Sequence, residues 1–470
     1  MALTDLIELS TTVTAQSGST VTLASVVGLV VGDKIIIESL HGYDEVGLDG
    51  DWPLSNLPLS GYYLNVTHVG KSFISGAITN ITGNVVTVDR TVPSGAVGLP
   101  CYRNNHDSVK FAIENKVAWP ANKVLAVASG TSAPIRAYLN DDYAEFDFKN
   151  CEIFAPRGTG ALNLSVTRTS GGGLKNKAFR NLTLRGNARD SGYGFAAETG
   201  VFVQGSSLPA VFSASGSGGP FGDVAGNWVV ENITCIDNWR SIDVNIAKDC
   251  IVRNCTSRFT DPIRQYIQWE YLASSSERCA FIDCVVDSDY MRAGFEPFKS
   301  QGISFIRCGG RNTSMGVNSS GGIRFKDCFI TIDEINPDAS FSPNNPLMNI
   351  GRNIENQQGA VQPGTGGGVG IDNFVVRYNE IPYPSAGVSG EIWTTVSINA
   401  ESAYGLPVEA RIRGITLILP RTNVTGPNGA SDGYVVNRNG NVGGTTIVQG
   451  VNATTLDSGT KLLNVSETQP

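Results

Sequence analysis

The sequence is poor in histidine, with three in 470 residues, and poor in charge, with 17% Asp, Glu, Lys and Arg. It has nine cysteines and no CxxC pair. Cys250/Cys255 and Cys279/Cys284 are each five apart, but no histidine stands near them. A structural zinc site is therefore not expected, and the cysteines read as reduced, buried thiols that pack as small hydrophobes. No run of Lys or Arg exceeds two residues and the net charge is −8, which argues against nucleic acid and anionic membrane as partners. Nowhere do 18 uncharged apolar residues occur together, and "MALTDLIELSTTVTAQSG" lacks a basic segment followed by an apolar run. Neither a membrane span nor a signal peptide is expected, so the protein is expected to stay in the cell that makes it or to leave by lysis or in a particle. Helical periodicity is almost absent, which excludes repeated crossover helices and βαβ units. The DGD at 49–51 has neither the spacing nor the terminal Glu of an EF-hand, and no other metal or cofactor motif is present.

What is abundant is glycine, 54 residues, with 41% apolar residues, a profile of short strands and turns. The phrases "VRNCTSRF", "FIDCVVDSD" and "FKDCFITID" repeat one pattern. Aligning such phrases on their central apolar residue gives Cys151, Leu182, Ile233, Cys255, Cys284, Cys308, Cys328, Phe374 and Ile415. The intervals are 31, 51, 22, 29, 24, 20, 46 and 41, near one or two units of a 20-odd residue solenoid with variable loops. Within each unit the period is two: Phe281 precedes Asp283–Cys284, Phe305 precedes Arg307–Cys308, and Phe325 precedes Asp327–Cys328. Short strands, a solenoid period and no helices specify an all-β parallel β-helix, in which each coil covers the edge of its neighbour. The repeated Cys fills a small core-facing slot, and the Asn or Asp before it is read as a corner residue bonded to backbone groups. Asp283 and Asp327 are structural on this reading.

Residues 1–100 form a small all-β N-terminal region, rich in Thr and Val alternation, with a loop at 42–64. In "HDSVKFAIENKVAWP", 106–120, Val109, Ala112, Ile113 and Val117 share a helical face, with Asp107 or Ser108 as N-cap and Pro120 as the stop. This helix is expected to close the open end of the coil. The coil runs over 101–420, interrupted by the irregular stretches 187–227 and 335–370. A polar, Thr- and Asn-rich β end occupies 421–470 and suits an intersubunit region.

The Gly/Val/Thr-rich start, the "DSVKFAIENKV…PANKVLAVASG" stretch and the irregular coils with N-C or D-C phrases together resemble the pectate-lyase-like right-handed β-helix. The nearest likeness is to tailspikes of tailed bacteriophages. The resemblance covers roughly 101–420. It implies a homotrimer in the virion tail, assembled in the host cytoplasm and bound through its N-terminal region to other tail proteins. Its partner would be a bacterial surface polysaccharide, which it binds and often cleaves. The N-terminal region is shorter than that of the best-known spikes, and no trimer clamp matches 421–470.

Cleavage of a glycan by hydrolysis needs two carboxylates across a sugar, with aromatic faces and polar donors around it. The densest such stretch is 258–299. It offers Asp261, Glu270, Asp289 and Glu296 as catalytic candidates, with Tyr266, Trp269, Tyr271, Tyr290, Arg258 and Arg264 as sugar contacts. Asp261 and Asp289 are expected on neighbouring rungs, as a second pair are Glu270 and Glu296 in their "WEY" and "FEP" contexts. Asp243, between Ile242 and Val244, is expected to project outward and is the next candidate. Two alternatives stand beside hydrolysis: a non-enzymatic adhesin or structural virion protein, and a polysaccharide lyase using Arg258, Arg264 or Lys299 to neutralise an acidic sugar.

Overall fold

The structure is a computed structural model. It describes residues 6–38, 73–128, 135–156, 159, 162, 164–167, 174–186, 199–204, 225–238, 240–259, 270–298, 300–318, 320–333, 348–350, 368–379, 394–398, 410–418, 434–438, 446–454 and 461–464. The chain divides into two compact units, one of residues 1–169, 177–202 and 232–239, the other of 170–176, 203–231 and 240–470.

The first unit opens with an antiparallel sheet. Strand Ser10–Ser17 pairs with Thr20–Leu23 and Pro100–Arg103, and the turn between the first two passes through Gly18 at φ 55°, where a Cβ would be strained. Its Thr/Val alternation buries Val13, Val21, Leu23, Ile35, Val86 and Cys101 in one core. The sequence Arg103–Asn104–Asn105 then joins this sheet to the helix and the first coil. Arg103 Nη2 lies 2.9 Å from Asp33 Oδ1, with both side chains buried. Asn104 exchanges two hydrogen bonds with the Ala128 backbone, and Asn105 does the same with Ile7.

The helix covers His106–Glu114 and buries Val109, Ala112 and Ile113, as its periodicity requires. Its N-cap is Asn105, not Asp107 or Ser108, and it ends before Asn115 instead of running to Pro120. Lys116 takes a left-handed φ of 53°, which turns the chain and leaves Val117 outside the helix. The Glu114 carboxylate accepts the Tyr138 N–H, and Trp119 packs edge-on against Phe148, so this segment covers the first rungs of coil. Those rungs are parallel: Val124–Ala126, Ala144–Phe154 and Lys177–Arg185 lie side by side, with Cys151 opposite Leu182 and Phe146 stacked on Phe179.

In the second unit each coil has three strands. Ile251–Arg253, Ala280–Ile282, Ser304–Ile306 and Ile323–Lys326 form a first sheet in parallel register. Thr256–Phe259 and the beginnings of Val285–Phe298 and Gly309–Val317 form a second, continued by Phe329–Ile332. Arg240–Asn245, Tyr271–Ser274 and the end of Val285–Phe298 form a third. The molecule is thus an all-β parallel β-helix, right-handed as parallel crossovers are. The register continues past 420, because Ala410–Ile418 pairs in parallel with Thr446–Thr454, and Tyr434–Arg438 with Lys461–Asn464.

The repeated phrase turns the first sheet into the second. Asn254, Asp283, Arg307, Asp327 and Asn373 all have φ between 52° and 55°, and Gly414 and Gly450 occupy later corners at 71° and 67°. The left-handed conformation costs most residues about 1–2 kcal/mol and costs Asn, Asp and Gly less. These corner side chains bond each other from rung to rung, not the backbone as the sequence suggested. Asn373 donates to Asp327, and Arg307 grips Asp283 with two bonds of 2.6 and 2.7 Å. That grip holds the Asp283 carboxyl below its ordinary value. Directly after each corner, Cys255, Cys284, Cys308 and Cys328 point inward, and all nine cysteines are buried and free. Beside them Phe281, Phe305 and Phe325 stack at 5.1 and 5.0 Å.

Candidate functional site

Strand Arg240–Asn245 belongs to the third sheet. Its alternation sends Ile242 and Val244 into the coil, and the register sets Ile242 beside Tyr271 and Tyr271 beside Phe295. The residues between them take the opposite face, which aligns Asp243, Leu272 and Glu296 in one column. Asp243 does lie on the outer face, yet it is only 2% exposed, and Glu296 only 7%. The two carboxylates are therefore buried on the outside of the coil, two rungs apart with a leucine between them.

Glu270 does not stack on Glu296. The register places Leu272, two residues later, opposite Glu296, so matching "WEY" to "FEP" misaligns the strands. Instead Glu270 directly precedes strand Tyr271–Ser274. Its carbonyl accepts the N–H groups of Ser241 and Ile242, and its buried carboxylate oxygen Oε2 accepts the hydroxyls of Ser241 and Ser257 at 2.6 and 2.7 Å. This glutamate, 1% exposed, ties together three strand ends, with its Oε2 taken by the two serine hydroxyls. Tyr271 is likewise interior: its ring stacks on Phe295 at 4.9 Å and its hydroxyl donates to the Val285 carbonyl. It offers no face to a glycan.

Arg258 is exposed on the second sheet, 4.0 Å from Asp287, which also pairs with Arg311 at 2.8 Å. It belongs to a surface charge ladder. Asp261, Arg264, Tyr266, Trp269 and Lys299 lie outside the described residues. Asp289 and Tyr290 lie in strand Val285–Phe298, one and two residues beyond Ser288, which pairs with Phe259. Among the described residues no group of three or more His, Cys, Asp or Glu is placed to hold a metal, and no helix is long and apolar enough to cross a membrane.

Sequence reasoning missed the serines. Besides Ser241 and Ser257, an inner ladder of Ser276, Ser300 and Ser320 links backbone N–H groups from coil to coil: Ser276 N–H donates to Ser300 Oγ and Ser300 N–H to Ser320 Oγ. Their intervals of 24 and 20 are those of Cys284, Cys308 and Cys328, so extending the alignment eight residues upstream would have found them.

No protein-family model and no curated sequence matches the chain. Among solved structures it is similar to a tailspike of Pseudomonas phage LKA1, at 13% identity over 97% of this chain and 65% of that one, TM-score 0.36. It is also similar to a tailspike of Acinetobacter phage vb_AbaP_AS12, at 10% identity over 75% and 60%, TM-score 0.42. A third is the endo-xylogalacturonan hydrolase of Aspergillus tubingensis, at 12% identity over 76% and 91%, TM-score 0.40. The chain thus spans less than two-thirds of the length of either tailspike.

Proposed function

We propose that the chain is a bacteriophage tailspike that binds a bacterial surface polysaccharide and hydrolyses it at Asp243 and Glu296. The observation that carries this reading is the pair of buried carboxylates on one outward column of the third sheet. Two rungs separate their backbones by roughly 9.6 Å. Inverting hydrolysis uses an acid and a base about 6.5–9.5 Å apart, with room for the attacking water between them, and retention uses a shorter gap of about 5–5.5 Å. Side chains reaching toward one another from that backbone spacing suit inversion. Leu272 between them is itself buried and makes the surroundings of the pair apolar. Glu270, fixed by Ser241 two residues ahead of Asp243, holds the strand end that carries one of the pair.

On this reading residues 1–100 attach the protein to other tail proteins, the molecule is a homotrimer, and it resides in the virion tail. Incubation with panels of capsule and O-antigen, monitoring reducing-end release and the ultraviolet absorbance of unsaturated sugars, tests it. Wild type is expected to release reducing ends without unsaturated product, and Asp243→Asn or Glu296→Gln to lower turnover by about 100-fold or more. Full turnover in both variants moves the site to Asp261 and Asp289. Glycan binding without any turnover in wild type makes the protein an adhesin.

A further inference from the structure

Cross-rung arginines in the second unit generally meet an acid on the neighbouring coil. Arg253 pairs with Glu231, Arg278 with Asp249, Arg307 with Asp283 and Arg311 with Asp287, each at 2.6–2.9 Å. On the outer face of the first sheet, three later rungs carry more cations than acids. Arg324 lies beside Gly370 and Gly370 beside Arg411, while Lys326 lies beside Asp372 and Asp372 beside Arg413. All four cations are exposed, against the one carboxylate of Asp372. Asp372 is engaged by Arg324 at 3.1 Å, and among the described residues Lys326, Arg411 and Arg413 have no ion pair. Asp327, at the corner next to Lys326, has an Oδ1 that accepts the Asn373 amide.

Gly370 matters to the shape of this patch. A Cβ built there would meet, among the described residues, nothing nearer than the Ile323 carbonyl oxygen at 3.8 Å, so no described side chain crowds the position between Arg324 and Arg411. Arg324 and Arg411 thus stand on either side of Gly370, two rungs or roughly 9.6 Å apart, with the Arg324 guanidinium held by Asp372 and that of Arg411 exposed. Like charges gathered on one face of a sheet destabilise it, and among the described residues Lys326, Arg411 and Arg413 meet no acid that offsets this. Guanidinium forks match carboxylates bidentately.

We infer that Lys326, Arg411 and Arg413, beside the Arg324–Asp372 pair, form a binding surface for an acidic polysaccharide, whose carboxylates lie over Gly370 and pair with these three cations. The inference rests on the polysaccharide reading above, but on a different sheet and on different residues from the proposed catalytic pair. A sparsely charged polymer fits better than nucleic acid, because duplex DNA carries one charge per about 1.7 Å of its axis and would be repelled by a chain of net charge −8.

The test is affinity electrophoresis of the full chain through gels containing polygalacturonate, neutral dextran or duplex DNA. Wild type is expected to be retarded by polygalacturonate and not by dextran, and the retardation to vanish at salt on the order of 0.5 M. The triple variant Lys326→Gln, Arg411→Gln, Arg413→Gln is expected to bind at least tenfold more weakly with an unchanged melting temperature, since all three side chains are exposed. Asp243→Asn with Glu296→Gln is expected to retain binding, so loss of turnover and loss of retention report on separate sites. No retardation of wild type by polygalacturonate, unchanged affinity in the triple variant, or tighter binding to DNA than to polygalacturonate overturns the inference.

Discussion

Burial pushes the thiols of Cys101 and Cys328 from an ordinary value of 9.0 up to about 12. A thiol that resists ionisation only in the folded state links stability to pH in one direction. Its contribution is complete below the unfolded value near 9 and is lost as pH rises from there toward 12. Each such thiol should therefore weaken the fold by about 2 kcal/mol at pH 10.5, from about 1.4 kcal/mol for each pH step. Urea unfolding between pH 8 and 10.5 checks this: stability should fall with pH, and Cys328→Ala should flatten that slope whatever its cost at pH 8. In the same native window a thiol reagent should leave the cysteines unmodified, and denaturant should expose them.

At the scale of the element, a rung is fixed by what its neighbour leaves room for. Gly309 comes directly after Cys308, and a Cβ there would stand 1.8 Å from the Phe329 carbonyl oxygen and 2.9 Å from its ring. The outer face of Gly309 is thus occupied by Phe329 of the next coil. Gly309→Ala must displace a paired strand and should destabilise by about 1–3 kcal/mol, read as a lower urea midpoint. Gly370→Ala, with no described side chain crowding it, should stay within about 0.5 kcal/mol of wild type. Equal costs at the two glycines would mean that chain flexibility, and not the Phe329 contact, decides the effect. The corner between the first and second sheets was legible from the sequence, since Asn, Asp and Gly recur where the backbone turns left-handed. Arg307 was not, because its tolerance of φ 52° depends on the two bonds it makes to Asp283 one coil earlier.

For the whole molecule, the second sheet presents an outer column of Val285, Gly309, Phe329 and Val375, in which the three larger side chains are half-buried. In the proposed homotrimer this column would be available for side-by-side packing of copies, and threefold symmetry closes without an unmatched interface. Light scattering at micromolar concentration should give three times the 49.8 kDa chain mass. A mass of one chain would refute the trimer.

The sequence by itself determined the parallel coil, the inward cysteines and the left-handed corners, because strand alternation and corner conformation are local and recur in every unit. It named Asp243 and Glu296 as separate candidates, but their place in one column was not legible in it. Asp243 and Glu296 come together across Leu272, and Arg324 faces Arg411 across Gly370, only because intervening segments of unequal length return the chain to one register. Register is a property of the paired strands: a shift of one residue sends every side chain to the other face, and of two residues moves Glu270 out of line with Glu296. Burial of Glu270 and Tyr271 depended on it too, since their interior places are set by Ser241, Ser257 and Phe295, which belong to other strands.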